Sequence, residues 1–336
     1  IEGYRNFCNK LWNAARYALM QVEGKDAAQG SANAAGGRMP GAASGAEGGE
    51  VELSLADRWI ISRLQRTEQR VREALDGYRL DHAAQALYEF TWHEYCDWYL
   101  ELSKPVLNDP ESTDAQARGT RRTLVRVLDA LLRLSHPIMP FLTEEIWQSV
   151  APLAGARGET IMRQPYPRPD PERIDAAAEA EMEWVQEFIA GVRKIRSGMN
   201  IAPTKALPVL LQNGSDEDAA RLERNRAFLA TLARLESITW LEPADKAPEA
   251  ATALLGEMNI LVPLAGLIDK DEELARLDKE IAKLEQDVER AGKKLENPSF
   301  VDKAPAEVVQ KERDKVADLQ SSVEKLRGQR ERIERI

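Results

Sequence analysis

The sequence predicts a mainly α-helical protein in three parts: an antiparallel helical bundle, a small α+β unit and a C-terminal antiparallel coiled-coil hairpin. Long segments whose apolar residues recur every three or four positions, separated by short breaks, predict the bundle. Helix-like and strand-like segments alternate in the middle of the chain and predict the α+β unit. A highly charged final segment with a seven-residue apolar repeat predicts the hairpin.

The bundle is expected over residues 1–165. Its first helix is predicted over Tyr4–Val22, where small and apolar residues line one helical face. Ser54 followed by Asp57 predicts the start of a second helix, because a serine side chain and an acidic side chain three residues later can satisfy each other's backbone amides. Gly77 is the expected end of that helix.

Further helices complete the predicted bundle. One is expected to begin at an Asp81 cap and to be terminated by Pro105, and another to run over about Asp114–Leu134. The sequence HPIMP breaks the pattern, and Thr143 restarts a short helix. The Gly-, Ala- and Ser-rich segment 24–50 has too few apolar side chains to offset the entropy of ordering, so a flexible loop is predicted there.

A change of character after several closely spaced prolines predicts a separate α+β unit over residues 172–266. The expected elements are a helix over Ala176–Arg196, a strand over Leu207–Gln212, a helix over Glu217–Leu235 and strands over Ser237–Leu241 and Asn259–Leu264.

The last segment, 267–336, carries an apolar seam at alternating spacings of three and four residues. The first arm has Leu274, Leu277, Ile281, Leu284, Val288, Ala291 and Leu295, and the second has Val309, Val316, Leu319, Val323, Leu326 and Ile333. Glu312 and Arg330 occupy two seam positions of the second arm. A proline-containing break between the arms predicts that they fold back on each other, and an arm of about 28 residues spans roughly 40 Å.

Composition excludes several classes of protein. The net charge of −10 argues against a protein that coats nucleic acid indiscriminately, although local basic clusters can still bind RNA. Cys8 and Cys96 are too few for a disulfide framework or a four-cysteine zinc site, so a reducing cytoplasm is expected. The sequence contains no run of about 18 apolar residues, so no membrane span is expected. Because the sequence begins at Ile1 with residues that already predict a helix, a fragment of a longer chain is expected.

Four stretches together resemble the valyl-tRNA synthetase family, in the helical domain that binds the anticodon. They are YRNFCNKLWNAARY at 4–17, LADRWIISRL at 55–64, EFTWHEYCDWYLELSKP at 89–105 and SHPIMPFLTEEIW at 135–147. KLENPSFVDKAPAEVV at 294–309, within the hairpin, resembles the bacterial valyl-tRNA synthetases. Isoleucyl and leucyl enzymes share looser versions of the bundle motifs, and the isoleucyl enzyme more often ends in a cysteine-rich zinc module that two cysteines cannot supply.

The resemblance implies a tRNA-binding role, with tRNA(Val) and the N-terminal catalytic portion of the same enzyme as partners. The family's ATP-handling signatures, H-I-G-H and K-M-S-K-S, occur nowhere in the sequence. We therefore expect no catalytic residue, metal or cofactor in this chain, with ATP used by the catalytic domain elsewhere. The parent enzyme would join valine to tRNA(Val) with ATP, releasing AMP and diphosphate. A cytoplasmic monomer is expected.

The first helix carries the candidate anticodon-binding residues. They are Asn6, Asn9, Lys10, Asn13, Arg16 and Tyr17. Several lie three or four positions apart and so can share a helical face, where asparagine reads base edges and tyrosine stacks on an unpaired base. By resemblance, Lys10 and Tyr17 match positions where the family meets anticodon bases. The alternative is a solvated helix face.

Two further groups of cations are candidates for contact with the tRNA backbone and with the outer corner, or elbow, of the tRNA. Arg193, Lys194 and Arg196 lie at a helix end, where they suit either a tRNA phosphate or the helix dipole. In the hairpin the candidates are Arg290, Lys293, Lys294, Lys303 and Lys315. By resemblance, Arg290 and Lys315 match positions that meet the elbow, where the D and T loops join. The alternative is a solvated coiled-coil surface.

Two rival functions remain. In one, the chain is a structural module whose hairpin grips a protein, as the hairpins of some translation-associated ABC-type ATPases resemble this one; such ATPases have no reason to carry the bundle motifs. In the other, His93 and Asp97 form a catalytic or metal-binding pair. We reject the second function because no third ligand stands at a recognisable spacing and the aromatic neighbours are typical of bundle packing.

Overall fold

A computed structural model of the protein describes residues 2–24, 50–242, 244–264, 270–296 and 306–334. Contacts divide the chain into two compact units, one formed by 1–187 with 221–232 and the other by 188–220 with 233–336. Almost all of the segment predicted to be a flexible loop lies outside the described residues. Within the described part of the chain, no helix is long and apolar enough to cross a membrane.

The first unit is a helical bundle. Its helices are α1 (Glu2–Val22), α2 (Leu55–Asp76), α3 (Leu80–Glu89), α4 (Leu100–Asn108), α5 (Asp114–Ser135) and α6 (Pro140–Ala154). A π-helix over Phe90–Tyr99 joins α3 to α4 without a break. Two single 3₁₀ turns, Ile161–Arg163 and Pro171–Arg173, precede α7 (Ala176–Gly198), whose first half belongs to this unit.

Local capping chemistry sets the ends of these helices. The predicted start of α2 is confirmed, because the Ser54 side chain accepts from the Asp57 amide while the Asp57 carboxylate accepts from the Ser54 amide. Gly77 follows the last residue of α2, as predicted. α6 begins at Pro140, earlier than the predicted restart at Thr143, because proline suits the first helical turn, where its missing amide has no partner to lose.

Two predictions about the third helix are wrong. Arg79 rather than Asp81 flanks the start of α3, and the Asp81 carboxylate accepts from the Arg79 guanidinium, with Nε and Oδ1 3.0 Å apart. Pro105 does not terminate the helix but lies inside α4. A proline removes only one amide donor, here the one that would bond to the Glu101 carbonyl, and α4 continues to Asn108.

A buried carboxylate ties the bundle together. Asp57 in α2 is fully buried, and its Oδ1 accepts from the Tyr99 hydroxyl of the π-helix at 2.6 Å. Its Oδ2 accepts from the Thr120 hydroxyl of α5 at 2.8 Å and from Ser54. Burial raises the pKa of Asp57, while these donors act in the opposite direction. Part of the LADRWIISRL and CDWY motifs is therefore explained by folding rather than by ligand binding.

The second unit contains a four-stranded mixed sheet. Its strands are β1 (Leu207–Gln212), β2 (Leu235–Trp240), β3 (Ala250–Leu255) and β4 (Met258–Pro263), in the order β2-β1-β4-β3. β1 pairs in parallel with β2 through the crossover helix α8 (Asp216–Leu232), and the other pairings are antiparallel. The predicted strands are confirmed to within two residues. β3 was not predicted, because this edge strand reads AATALL and lacks the β-branched apolar alternation that marks a strand.

The predicted return of the C-terminal segment on itself is confirmed for the described residues. α9 (Lys270–Glu296) and α10 (Ala306–Glu334) pack against each other with Leu277, Ile281, Ala291, Val309 and Val323 buried. Ion pairs join Lys294 to Glu312, Glu285 to Arg327 and Asp278 to Arg330. In these three pairs, the residue number on α9 decreases as the residue number on α10 increases, so the two helices are antiparallel. The two polar seam residues of the second arm, Glu312 and Arg330, thus each have a partner across the hairpin.

Candidate RNA interface

Lys10 on α1 is held by two residues of the π-helix. Its Nζ donates to Asp97 Oδ1 at 2.5 Å and lies 3.9 Å from the centre of the Trp92 ring. The ion pair and the cation–π contact fix the ammonium group against the π-helix. Sequence reasoning selected Lys10 but missed both partners, which the chain separates from it by more than eighty residues.

Tyr17 lies on the same flank of α1, next to α4. Its hydroxyl is 3.0 Å from Ser103 Oγ, and it is the donor because Ser103 itself donates to the Leu100 carbonyl. Partial burial raises the pKa of Tyr17. Lys104 Nζ stands 5.9 Å from the centre of the Tyr17 ring. The ring is therefore held in place with one cation beside it, as a stacking platform requires.

The other candidates on α1 surround this flank. Asn6, Asn9, Asn13 and Arg16 are all exposed. At about 100° per residue, Asn6 and Asn13 come next to Lys10 and Tyr17 on the helix surface, whereas Asn9 and Arg16 lie further round. All six predicted side chains therefore fall within an arc of about 120° around α1, with Lys10 at one limit and Arg16 at the other.

An aromatic cluster adjoins this surface. Phe7 of α1 packs against Tyr88 and Trp92, with ring centres 5.3 and 6.5 Å away and the planes nearly parallel. Tyr88 and Trp92 are 5.5 Å apart, and His93 meets the Tyr88 ring edge-on at 6.1 Å. Phe7 is buried, while 39% of Tyr88 is exposed. Sequence reasoning missed Tyr88, although its spacing of four residues from Trp92 is the signal that could have found it.

The π-helix is what brings Trp92 and Asp97 to the same lysine. In an α-helix, residues five positions apart point roughly 140° away from each other. A π-helix closes its hydrogen bonds from residue i to residue i+5, so its wider turn returns the fifth residue close to the direction of the first. This local geometry could not be predicted from the sequence, where the segment has an ordinary helical pattern.

His93 and Asp97 do approach each other, but at a distance unsuited to catalysis. His93 Nδ1 lies 3.5 Å from Asp97 Oδ2, and both side chains are exposed. In the described ranges, no group of three or more His, Cys, Asp or Glu residues could hold a metal ion. Burial raises the pKa of the neighbouring Cys96 thiol to about 12, so this thiol is not a nucleophile at neutral pH.

The structure corrects the role predicted for Arg196. Only 8% of Arg196 is exposed. Its Nη1 donates to the carbonyls of Ala202 and Lys205 at 2.9 and 2.8 Å, and its Nη2 to those of Ala233 and Arg234 at 3.2 and 3.4 Å. The guanidinium is thus occupied in holding the second unit together and is not presented to a phosphate. Arg193 and Lys194 are exposed and stay predictions.

The hairpin presents cations that already have acidic neighbours. Arg290, with 79% of its side chain exposed, lies 3.5 Å from Asp287, and Lys293 lies 2.6 Å from Glu289. Lys294 is paired across the hairpin. Exposed pairs of this kind are weak and screened by water, so a phosphate can displace the carboxylate at little cost. Lys315 is exposed, and Lys303 lies outside the described residues.

Comparison with known families assigns both parts of the chain. Residues 57–211 match the anticodon-binding domain of tRNA ligases, and residues 269–334 match the tRNA-binding arm of valyl-tRNA synthetases. The chain belongs to the valyl-tRNA synthetase family. It corresponds to a C-terminal part of such a synthetase, and tRNA is its partner. The first match begins at residue 57, so α1 lies outside it and the binding roles of the α1 residues stay predictions.

Proposed function

We propose that this synthetase fragment reads the anticodon of tRNA(Val) with its helical bundle and braces the elbow of the same tRNA with its hairpin. The observation that carries the proposal is the surface formed by α1, the π-helix and α4. There, exposed amides, two fixed cations and partly exposed aromatic rings lie side by side. Single-stranded RNA loops are recognised by this combination of base-edge hydrogen bonds and stacking.

Each group on this surface has a distinct part in the proposal. Asn6 and Asn13 offer both a donor and an acceptor to a base edge. Tyr17 and Tyr88 provide faces for stacking, which is worth roughly 1–3 kcal/mol for each base. Lys10, over the Trp92 ring, and Lys104, beside the Tyr17 ring, supply the cationic contacts.

The elbow contact would be made by the exposed side chains of the hairpin. Arg290, Lys293 and Lys315 project from its surface, and Arg193 and Lys194 are the candidates for backbone phosphates elsewhere. Because the whole chain carries a net charge of −10, general attraction for RNA is weak and these local cations must supply the salt-dependent part of the affinity.

In this proposal the chain works as part of a whole cytoplasmic, monomeric enzyme. The catalytic and editing parts of that enzyme would activate valine with ATP and transfer it to the tRNA that this chain positions. The chain by itself would need no cofactor and would catalyse nothing.

The direct test is a titration of the chain with fluorescent tRNA carrying a valine anticodon, at two salt concentrations. We expect saturable binding that weakens with salt and weakens by about tenfold or more when the middle anticodon base is changed. Tyr17→Phe should retain this discrimination, because the stacking ring is kept, and Tyr17→Ala should lose it.

The elbow contact has a matched control within the same hairpin. Arg290→Ala, near the tip, should weaken binding to every anticodon variant equally, while Arg327→Ala, far from the tip, should not. Binding that ignores the anticodon altogether would contradict the proposal. In that case only the hairpin and phosphate contacts would remain, whereas no binding at low salt would favour the interpretation as a protein-interaction module.

A further inference from the structure

The ion pair between Lys10 and Asp97 presents its acidic member to solvent. Only 25% of the Lys10 side chain is exposed, against 45% of Asp97. One side of the ammonium group is covered by the Trp92 ring at 3.9 Å. An incoming base at this point therefore meets a carboxylate at least as readily as the lysine that the sequence singled out.

One oxygen of this carboxylate is available. Oδ1 accepts from Lys10, whereas Oδ2 faces His93 Nδ1 at 3.5 Å, too long for a good hydrogen bond. An ionised carboxylate only accepts hydrogen bonds. On an RNA-binding surface it therefore repels phosphates and base carbonyl oxygens, and it attracts amino groups.

We propose that Asp97 accepts a hydrogen bond from the exocyclic amino group of an anticodon base, while Lys10 donates to the ring nitrogen beside it. Lys10 has three N–H donors, so it can serve Asp97 and a base together. This inference rests on the proposed function and specifies which chemical feature of the anticodon is read.

The pairing separates adenine and cytosine from uracil. Adenine and cytosine carry an amino group next to an accepting ring nitrogen, whereas uracil carries a carbonyl oxygen next to a ring N–H. A carboxylate and an ammonium in fixed order complement this amino class and repel uracil. Guanine is not rejected by the carboxylate alone, because its ring N–H and 2-amino group both donate. Valine codons begin with G and U, so the second and third anticodon bases are A and C, both of the amino class.

Asp97 is suited to this role because the fold does not depend on it. A partly exposed ion pair contributes about 0–1 kcal/mol to stability. The same helix buries Tyr95 and Tyr99, which anchor it in the bundle through the Leu124 carbonyl and Asp57. Loss of the Asp97 carboxylate should therefore leave the π-helix in place, so that an effect on RNA selection can be measured separately.

The test is a chemical double-mutant cycle on the full 336-residue chain. Adenine at the middle anticodon position is replaced by purine, or cytosine at the third by pyrimidin-2-one, so that only the amino group is removed. Wild type should lose about tenfold or more in affinity at one of the two positions. Asp97→Ala should bind the natural and the amino-less tRNA equally well, because the acceptor is already absent. Asp76→Ala, which removes an exposed carboxylate from α2, should behave as wild type.

Asp97→Asn supplies a second measurement. Its amide can donate as well as accept, so it should weaken the rejection of uracil at this position without abolishing it, because Lys10 still faces the ring N–H of uracil. The inference is overturned if wild type binds both amino-less tRNAs as tightly as the natural one. A second result would overturn the inference and leave the proposed function intact. In that result binding depends on the anticodon, but the affinity lost through Asp97→Ala and the affinity lost through removal of the amino group are additive. Binding indifferent to every anticodon change overturns both.

Discussion

At the scale of single residues, the side chains of the family motifs divide between those buried in the fold and those available for the proposed recognition. Asp57 and Tyr99 are buried and bonded to each other, so they hold α2 against the π-helix. Lys10 and Asp97 lie two turns or less from buried motif residues but face solvent. Sequence reasoning could group these residues by motif, but it could not separate the two roles, because burial depends on contacts between distant segments.

Glu68 gives the bundle a predicted pH dependence. It is buried in α2, and burial raises its pKa from 4.5 to about 7, with Arg173 and Arg133 opposing the rise and Asp170 adding to it. The folded chain thus keeps this proton up to about pH 7, whereas the unfolded chain loses it near pH 4.5. The contribution of the protonated group to stability is complete below pH 4.5 and is lost as the pH rises through 7.

We therefore expect Glu68→Gln to remove the loss of stability that accompanies ionisation of this group at high pH. The free energy of unfolding at pH 8 should rise by about 2–3 kcal/mol relative to wild type, with little difference near pH 4, because glutamine mimics the neutral acid. Urea unfolding at the two pH values measures it. Glu73→Gln, on the exposed side of the same helix, is the control and should change neither value. An equal effect at both pH values would mean that Glu68 does not titrate in this range.

At the scale of elements, the last turns of α7 carry a buried arginine, Arg196, and an exposed one, Arg193, and we expect them to have different roles. Arg196→Met leaves four backbone carbonyls without their donor and should lower the free energy of unfolding by about 2–4 kcal/mol. Arg193→Met, which removes an exposed side chain and its surface contact, should change stability by no more than about 1 kcal/mol but weaken tRNA binding and flatten its salt dependence. Urea unfolding and tRNA titration of both variants distinguish the roles. Comparable loss of stability in the two variants would refute this division.

Most elements could be predicted from the sequence because their signals are local. Apolar periodicity predicted α5, periodicity with a capping serine predicted α2, and a short apolar segment predicted β1 with its observed bounds. The π-helix, the helical Pro105 and the edge strand β3 could not be predicted, because the local pattern of each segment indicates a different structure and the observed one depends on neighbouring segments. The partners of Lys10 and Tyr17 were missed for the same reason: they lie on helices distant in the sequence.

At the scale of the whole molecule, the proposed function divides recognition between two units. The bundle carries fixed rings and amides, which suit the reading of bases, whereas the hairpin carries flexible, exposed cations, which suit phosphates. Stability follows the same division, because each unit has its own buried core. A variant in the hairpin should therefore alter affinity without altering which anticodon is preferred.

Hydroxyl-radical footprinting of end-labelled tRNA(Val) bound to the chain tests this two-ended contact most directly. The prediction is that one complex protects both the anticodon loop and the elbow where the D and T loops meet, and that the acceptor stem stays accessible. Arg290→Ala should remove the elbow protection and leave that of the anticodon loop. Protection confined to the acceptor stem, or spread evenly along the backbone, would contradict the assignment of the bundle to the anticodon and the hairpin to the elbow.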